Sequence, residues 1–590
     1  MVALTACEGE AVNGYRNFSE LILAKAAELP GREALVLLPE HDGRAQPQAV
    51  SYRALDAAAK RLAGWLQDRG AVGERVLVVH GDRRLFAVSF LACLYSGAIA
   101  VPTAPPGGRG HHAERIAGIA RDAAPCLALT DAALAPDLSR LLARHGYGQI
   151  PCLAADVVPP SAPWQQPALT ADSVAFLQYT SGSTREPRGV VVTHGNLLAN
   201  QQAITEALGT GPQSRFGGWL PFHHDMGLVG QLLHPLWHGG TSVLLSPEAF
   251  VRRPVRWLEA ISRHGLTVSG APDFAYELCV HRVTDEQLAG LDLSRWERAV
   301  SGGEPVRAET WRAFAERFAP AGLRPGALTA AYGLAEATLL VSGGAGEPHG
   351  AGREVDSAAL QRHGLRPARP GRPATTLVPA GRAVGAELRI VDPETLAVRP
   401  DGEIGEIWVR GGSVAHGYWR RPGESVHTFG ATTEDGESGF LRTGDLGAVQ
   451  DGVLHVTGRL KDVIVVAGRN LYPQDLEQTV QRVSALFGST TAFAVPAGRE
   501  QVVVVQELRA RSRYDVDLPG LATAVESCLS QEFELQAGAV LLVRPGTVRR
   551  TTSGKVERSA MRRLFLRGEL KPLHQKVRPE IQRIIAGSRR

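Results

Sequence analysis

Strands that alternate with helices through the first half of the chain predict an α/β fold, a parallel sheet with helices on both faces. Two further observations extend that reading. Past residue 380 the pattern changes to short strands set apart by turn residues, which fits a small antiparallel sheet or barrel. From Gly458–Asp462 onward a new compact unit of strands and helices begins, so the chain divides there. At 590 residues it is too long for a single core.

The elements follow in order. Phe18–Leu29 has helical spacing and Ala34–Leu38 reads as a strand. Ser51 caps a helix that runs to about Arg69. Arg75–Val79 is a strand. Leu85–Pro106 carries no charge and is long enough to span a bilayer. Ser96-Gly97 and Pro102 interrupt it, however, and it divides into a helix (about 84–95) and a strand (Ala98–Val101), so no membrane span is expected. A helix (about 112–123) and the strand Cys126–Thr130 come next, then a Pro- and Ala-rich connector over 155–170. Thr241–Leu245 and Leu266–Ser269 are strands. Residues 342–380, rich in Gly, Pro and Arg, read as a long loop with a helical patch near Ser357–His363, and such loops are functional or disordered. Glu387–Val391, Gly405–Val409 and Gly452–Val456 are the short strands. Val463–Val466, a helix from Pro473, the strand Val502–Leu508, a helix over Leu518–Phe533 and a basic helix after Lys555 make the last unit.

Composition sets outer limits. With 44% hydrophobic and 21% charged residues the chain is an ordinary globular one, and a net charge of +4 implies no nucleic-acid partner. The six cysteines lack zinc or redox spacing, and no signal peptide is evident, which together suggest reduced thiols in a cytoplasmic protein. The last fifty residues, Leu541–Arg590, are basic, with 14 Lys and Arg against 3 Asp and Glu. That is either a solvated tail or a surface for an acidic partner.

The chemistry concentrates between Val174 and Asn200. The apolar run Val174–Tyr179 is a strand; Val190–Val192 is another, and Thr193 caps a following helix. Between them, Thr180, Ser181, Gly182, Ser183 and Thr184 bring hydroxyls and backbone N–H groups together. Such a loop holds a phosphate, although on its own it also fits a Ser/Thr-rich surface turn. It lacks the Lys of the Walker pattern. Downstream, Trp219–Gly227 (WLPFHHDMG) leads into a helix. Its His223, His224 and Asp225 point in different directions, a poor arrangement for a metal. Ser301-Gly-Gly-Glu-Pro305 is a strand end where backbone can approach a ligand, and Ala331–Glu336 offers an aromatic ring and a carboxylate.

Taken together, YTSGSTREPRGV, SGGEPV, AYGLAEAT, GEIWVRGGSVAHGYW, FLRTGD, GRLKD and TTSGK resemble the adenylate-forming superfamily of acyl-CoA synthetases, adenylation domains and luciferases. Seven motifs in the family's order cover most of the chain. LQYTSGST, PFHHDMGLVG, SGAPDFAYELCV, YGLAEATLLVS and GRLKDVIVVAGRNLYPQDLE are most similar to fatty acyl-AMP ligases. The resemblance implies an N-terminal domain, 1–458, of two layered parallel-type sheets with a β-barrel-like part over about 381–457, and a smaller, mobile α+β C-terminal domain, 459–590. Residues 342–380 stand where these ligases carry an insertion that restrains the C-terminal domain and is linked to failure to use CoA.

What the resemblance implies for chemistry is a reaction in two halves. A fatty acid attacks the α-phosphate of ATP with loss of pyrophosphate, and the acyl group then passes to the phosphopantetheine thiol of an acyl carrier protein. Thr180–Thr184 are expected on the β- and γ-phosphates, Glu336 on Mg²⁺, and Tyr332 and Gly333 at adenine with Gly302, Gly303 and Glu304. Asp445, assisted by Arg459, is expected at the ribose. Lys555 is expected to reach the carboxylate and α-phosphate, with His224 and Asp225 near the acyl tunnel and Lys461 at the hinge. Phe222, Met226, Gly230 and Phe274 are candidate tunnel residues. No carrier domain is visible, so a separate carrier protein or a carrier domain of a polyketide or peptide synthase is expected, docked on Arg558, Arg562, Arg563 and Arg567. The chain departs from the family at Arg185, where Gly is usual, and at Arg188, where Lys is usual. If position 185 needs positive φ, arginine there costs about 1 kcal/mol or more; alternatively, its guanidinium contacts phosphate. A Ser301-Gly302-Gly303 run also replaces the usual Asn-Gly-Ala. The alternatives are an acyl-CoA synthetase, an inactive acyl- or nucleotide-binding protein and an amino-acid adenylation domain.

Overall fold

The computed structural model describes residues 14–40, 46–107, 110–158, 161–180, 187–344, 352–466, 469–497, 499–509, 516–551 and 555–587. Two large sheets dominate the first half. The six-stranded sheet runs in the order Cys152–Ala154, Leu127–Thr130, Arg75–Val79, Ile99–Pro102, Val174–Tyr179, Gly189–Thr193. All neighbours are parallel except the last pair, which is antiparallel. The seven-stranded sheet runs Leu328–Ala330, Arg298–Ser301, Val268–Ala271, Phe216–Gly218, Ser242–Leu244, Glu33–Leu37, Gln48–Ser51, parallel up to its final antiparallel pair.

One apolar core joins the two sheets. It takes Val76, Val78 and Phe176 from the first, Leu35 and Leu244 from the second, and the helices Tyr52–Asp68, Arg83–Ser96 and His194–Leu208 between them. Every residue from Leu85 to Ser96 is buried. A helix apolar on all sides needs cover on all sides, and the two sheets supply it. That explains the uncharged segment without a bilayer. No helix among the described residues is long and apolar enough to cross a membrane. Side chains cap the helices as their sequence suggests: Ser51 Oγ accepts from Ala54 N, and Thr193 forms a reciprocal capping box with Asn196.

The small β unit pairs Glu387–Val391, Gly405–Arg410, Leu441–Gln450 and Val453–Arg459 in an antiparallel meander. A three-stranded sheet of Tyr332–Gly333, Leu340–Gly343 and Arg382–Ala383 shares its core. The last meander strand starts at Val453 and continues past Val456 to Arg459, carrying the expected site arginine into the sheet.

Residues 352–380 are not a structureless loop. Arg353–Asp356 pairs with Ala374–Leu377 in a two-stranded ribbon, and Ser357–Leu360 forms one helical turn capped by Asp356. Val355, Leu360 and Leu365 from this segment pack with Ile404, Leu446 and Ala448 of the small β unit and with Tyr472 beyond it. This segment thus shares one core with the segments on both sides of Gly458–Asp462.

The last unit is a mixed sheet in the order Phe487–Ala497, Arg499–Leu508, Ala539–Val543, His574–Val577. Helices Pro473–Arg482 and Leu518–Phe533 cover one face, and Arg558–Leu566 with Pro579–Gly587 the other. Val502 to Val505 are all buried because both faces are covered.

The turn after Tyr332 brings two backbones together: a Cβ on Gly333 would stand 1.7 Å from the Leu339 carbonyl oxygen. Gly333→Ala is expected to lower the melting temperature by about 4 °C or more. Gly326→Ala, where a Cβ meets nothing within 4 Å, should stay within about 2 °C of the parent in the same calorimetric scan.

Candidate active site

A cavity of about 2950 Å³ opens at the carboxyl ends of the strands of both sheets and is closed from above by the C-terminal unit. Open α/β sheets bind ligands at that edge. The cavity collects Thr180, Phe222, His224, Asp225, Met226, Gly230, Phe274, Gly302, Gly303, Glu304, Tyr332, Gly333, Glu336, Asp445, Arg459, Lys461 and Lys555, all singled out from sequence. Ser181, Gly182, Ser183, Thr184 and Arg185 lie outside the described residues.

Asp445 is the knot of one wall. Tyr332 Oη donates to its Oδ2 at 2.9 Å, and Arg459 Nε stands 3.0 Å from its Oδ1. Asp445 and Arg459 meet because they face each other in register across two antiparallel strands. The carboxylate beside it raises the pKa of Arg459. Opposite, the strand Arg298–Ser301 ends at Gly302, where a Cβ would lie 2.7 Å from the Ala331 carbonyl oxygen, and Gly303 takes φ +78°. Both conditions favour glycine. Glu304 Oε1 accepts from Phe274 N at 2.8 Å, satisfying a first-turn N–H of the helix Asp273–Arg282. Burial pushes its carboxyl pKa up.

Glu336 sits in the single turn Ala335–Ala337, and its Oε1 accepts from Tyr418 Oη at 2.9 Å. Burial raises its pKa too, with the Tyr418 hydroxyl acting against that shift. Thr338, just after it, holds φ +67°, a strained setting for a β-branched residue, while its hydroxyl donates to Ser413 O at 2.8 Å.

Lys555 enters from the C-terminal unit. Its backbone is folded on Thr551, through Thr551 N to Lys555 O at 2.8 Å and Lys555 N to Thr551 Oγ1 at 3.1 Å. Its Nζ would lie 3.9 Å from a Cβ on Gly303, so the ammonium reaches the floor of the cleft. Asp225 stands near it. The Asp225 carboxylate caps the helix Met226–Leu233 through Met226 N at 2.7 Å. Burial raises its pKa, and the charge of Lys555 opposes the rise. That helix is wound as a π-helix, its hydrogen bonds spaced one residue wider than in an ordinary α-helix. His223, beside His224 with ring centres 4.5 Å apart, is buried against Arg115 and its pKa is pushed down to about 3, so its imidazole is neutral near pH 7. Among the described residues no group of three His, Cys, Asp or Glu could hold a metal.

Some partners carry no motif. Arg115 donates to the carbonyls of Tyr179 and Thr180 at 3.2 and 3.3 Å, fixing the start of the hydroxyl loop. Nothing in the surrounding helix marks it. Tyr418, which holds Glu336, did fall inside a matched motif, but without an assigned role. Arg188 pairs with Glu424 at 3.1 Å and lies 5.5 Å from the Tyr418 ring centre. Arg558 corrects the docking expectation. It binds Glu477 at 2.8 and 2.5 Å and stands 3.8 Å from Asp462, so it is bound up in an internal ion-pair network. The tunnel candidates are structural neighbours as well. Phe222 lies under the Arg83 guanidinium at 4.0 Å, and Phe274 stands edge-on to Trp219 at 6.0 Å.

The model for the AMP-binding enzyme family matches residues 23–419. The chain is 39% identical over 554 residues to the medium-chain fatty acid–acyl-carrier-protein ligase JamA of Moorena producens, covering 91% of this chain and 93% of that protein. It is 38% identical over 574 residues to the long-chain fatty acid–AMP ligase FadD26 of Mycobacterium marinum, covering 92% and 96%. The chain belongs to the AMP-binding enzyme family and is a fatty acyl-AMP ligase. A second family model, the AMP domain of Disco-interacting protein 2-like proteins, matches residues 461–575 of the ligase. The solved fatty acid AMP ligase of Legionella pneumophila is 34% identical, with a TM-score of 0.73 over 95% of this ligase and 98% of that chain.

The C-terminal unit of the ligase closes the cleft with a titratable contact. Asp475, in the first turn of Pro473–Arg482, has its pKa raised to about 7 by burial and by Glu477 and Glu309. Across the same contact Glu309 holds Arg482 at 2.6 Å. A carboxyl raised this way is easiest on the fold while protonated, so its contribution is complete below its ordinary range and is lost as pH rises through about 7. Asp475→Asn is therefore expected to raise the melting temperature more at pH 8 than at pH 5, by about 2–4 °C. Equal gains at the two pH values would contradict the assignment.

Proposed function

We propose that the ligase joins a fatty carboxylate to the α-phosphate of ATP, releases pyrophosphate, and passes the acyl group to the phosphopantetheine thiol of an acyl carrier protein rather than to CoA. Adenylate-forming enzymes use ATP, and bringing two anions together is the physical problem such an enzyme faces. The observation that carries this reading is Lys555, standing against Gly303 and close to Asp225 at the cleft floor. A compact charge on a flexible stem suits a site where carboxylate and phosphate must meet. Tyr332 and Gly302–Glu304 form the adenine wall, and Asp445 with Arg459 takes the ribose hydroxyls. Gly333 shapes the turn beside them. Thr180–Thr184 hold the outer phosphates, their first residue anchored by Arg115.

Mg²⁺, when bound, screens the triphosphate and polarises its oxygens. Glu336 would hold it, its carboxylate positioned by the Tyr418 hydroxyl. One carboxylate is enough, because Mg²⁺ in such sites takes most of its remaining ligands from phosphates and water.

The second half-reaction needs the C-terminal domain, 459–590, to swing about Lys461, which lies in the single turn Leu460–Asp462 after the last meander strand. The insertion bears on that swing. It meets the domain through the shared core at Tyr472 and through hydrogen bonds from Asn470 to Gln361 O at 3.3 Å and to His363 Nε2 at 2.6 Å. A carrier with an acidic surface would meet Arg562 and Arg567, which are exposed, with Arg563 at the cleft rim. A cytoplasmic setting suits ATP, the carrier and the reduced thiols.

Fatty-acid-dependent ATP–pyrophosphate exchange should be strong in the parent, fall about 100-fold or more in Lys555→Ala, and vanish with a chelator. Product analysis with CoA and with a holo-carrier decides the acceptor: rapid stoichiometric acyl-CoA would overturn the carrier assignment. Separately, reversing the charge at Arg562 and Arg567 is expected to slow acyl transfer to the carrier several-fold at low salt, with exchange as the internal reference. Unchanged transfer would remove the docking surface.

A further inference from the structure

The same cavity continues inward from the cleft, between the helix His194–Leu208 and the face of the seven-stranded sheet. Its lining descends the parallel strands from Gly270 and Val300 near the cleft to Val268 and Phe216 at their amino ends. Val268–Ala271 spans roughly 10 Å at about 3.3 Å per residue. Ile204 and Leu208 line the other side. This is the space an acyl chain would occupy with its carboxylate near Lys555 and its far end at Phe216.

The far end is polar. His234 lines the cavity there, edge-on to Phe216 at 5.4 Å. His234 Nδ1 lies 2.6 Å from Gln201 Oε1, and its Nε2 lies 2.9 Å from Thr210 Oγ1. His238 Nε2 lies 3.2 Å from both Thr205 Oγ1 and Thr210 Oγ1. Gln201, His234 and Thr210 are buried, Gln201 with no exposed surface at all.

The protons in this chain can be assigned from one end. Thr205 Oγ1 spends its hydrogen on the Gln201 backbone carbonyl at 2.8 Å, so it accepts from His238 Nε2–H. Thr210 Oγ1 accepts from the same N–H and gives its own hydrogen to His234 Nε2. His234 then carries its proton on Nδ1 and donates to Gln201 Oε1. The relay fixes the Gln201 amide with its NH₂ pointing away from His234, and that nitrogen has no partner among the described residues. Gln201 shares a helix face, at spacings of three and seven, with Ile204 and Leu208, the two residues that line the cavity.

A buried donor without a partner is unfavourable unless something supplies an acceptor. We propose that Gln201 is a specificity residue of the acyl tunnel, and that the ligase takes a medium-length fatty acid bearing a hydroxyl or carbonyl oxygen at or next to its distal end. Such an oxygen accepts from Gln201 Nε2, whereas a terminal methyl leaves that donor bare. Sites built to bond a polar group discriminate against analogues lacking it far better than apolar pockets discriminate by size.

This inference rests on the adenylation reading, and one experiment separates them. ATP–pyrophosphate exchange is measured with octanoic, decanoic and dodecanoic acids, with their ω-hydroxy counterparts, and with the keto acids whose carbonyl adjoins the terminal methyl. At the best length, the polar-ended acid should exceed the plain one in kcat/KM by about 10-fold or more. Gln201→Leu and Thr210→Val should each shrink that ratio at least about fivefold. A plain acid preferred or equal at every length, as when water satisfies the amide, overturns the proposal. So does an undiminished ratio in Gln201→Leu. If either variant fails to fold, the panel on the parent enzyme still decides. Absence of exchange with every acid would count against the adenylation reading instead.

Discussion

Burial of carboxylates is the constraint on which the cleft depends. Asp225, Glu304 and Glu336 are each half-buried, and desolvation is the largest influence on all three. Each is met by a donor aimed at it: Met226 N–H, Phe274 N–H and the Tyr418 hydroxyl. Lys555 adds a charge that favours the ionised form of Asp225 and Glu304. That ammonium belongs to the C-terminal unit, so the electrostatics of the floor are set by how that unit is seated. Removing the lysine would strip that compensating charge from two half-buried carboxylates.

The seating itself is built from ordinary parts. The bidentate ion pair of Arg558 with Glu477 ties the helix after Lys555 to the helix Pro473–Arg482. Glu477 also accepts from Ala492 N, so the network reaches the sheet beneath. Glu309, Arg482 and Gln478 close the contact on the other side of the cleft. Polar contacts of this kind release more readily than a large apolar interface.

Much of this was legible in the sequence, and the reasons differ by element. Arg75–Val79 and Val174–Tyr179 stood out because buried parallel strands are continuous apolar runs. Ser51 and Thr193 marked helix starts because their side chains satisfy orphan N–H groups. Tyr332, Glu336, Asp445 and Lys555 were found by motif, and the fold brings them to one cavity. The ribbon Arg353–Asp356 with Ala374–Leu377 escaped because REVD and ATTL have too few apolar residues to show a period. The π-helix has no sequence period of its own that distinguishes it from an α-helix. Arg115 and Gln201 act through geometry, a carbonyl pair in one case and an imidazole relay in the other. No spacing rule announces either.

Among the described residues the ribbon Arg353–Asp356 with Ala374–Leu377 forms a sheet of its own: neither large sheet nor the four-stranded meander lends it a strand. The turn between its strands is tied to the small β unit by an isolated bridge, Gly364 with Glu403, and by the apolar core it shares with Ile404, Leu446 and Ala448. A segment attached in this way can be fitted onto an α/β fold without altering the strand order of either large sheet.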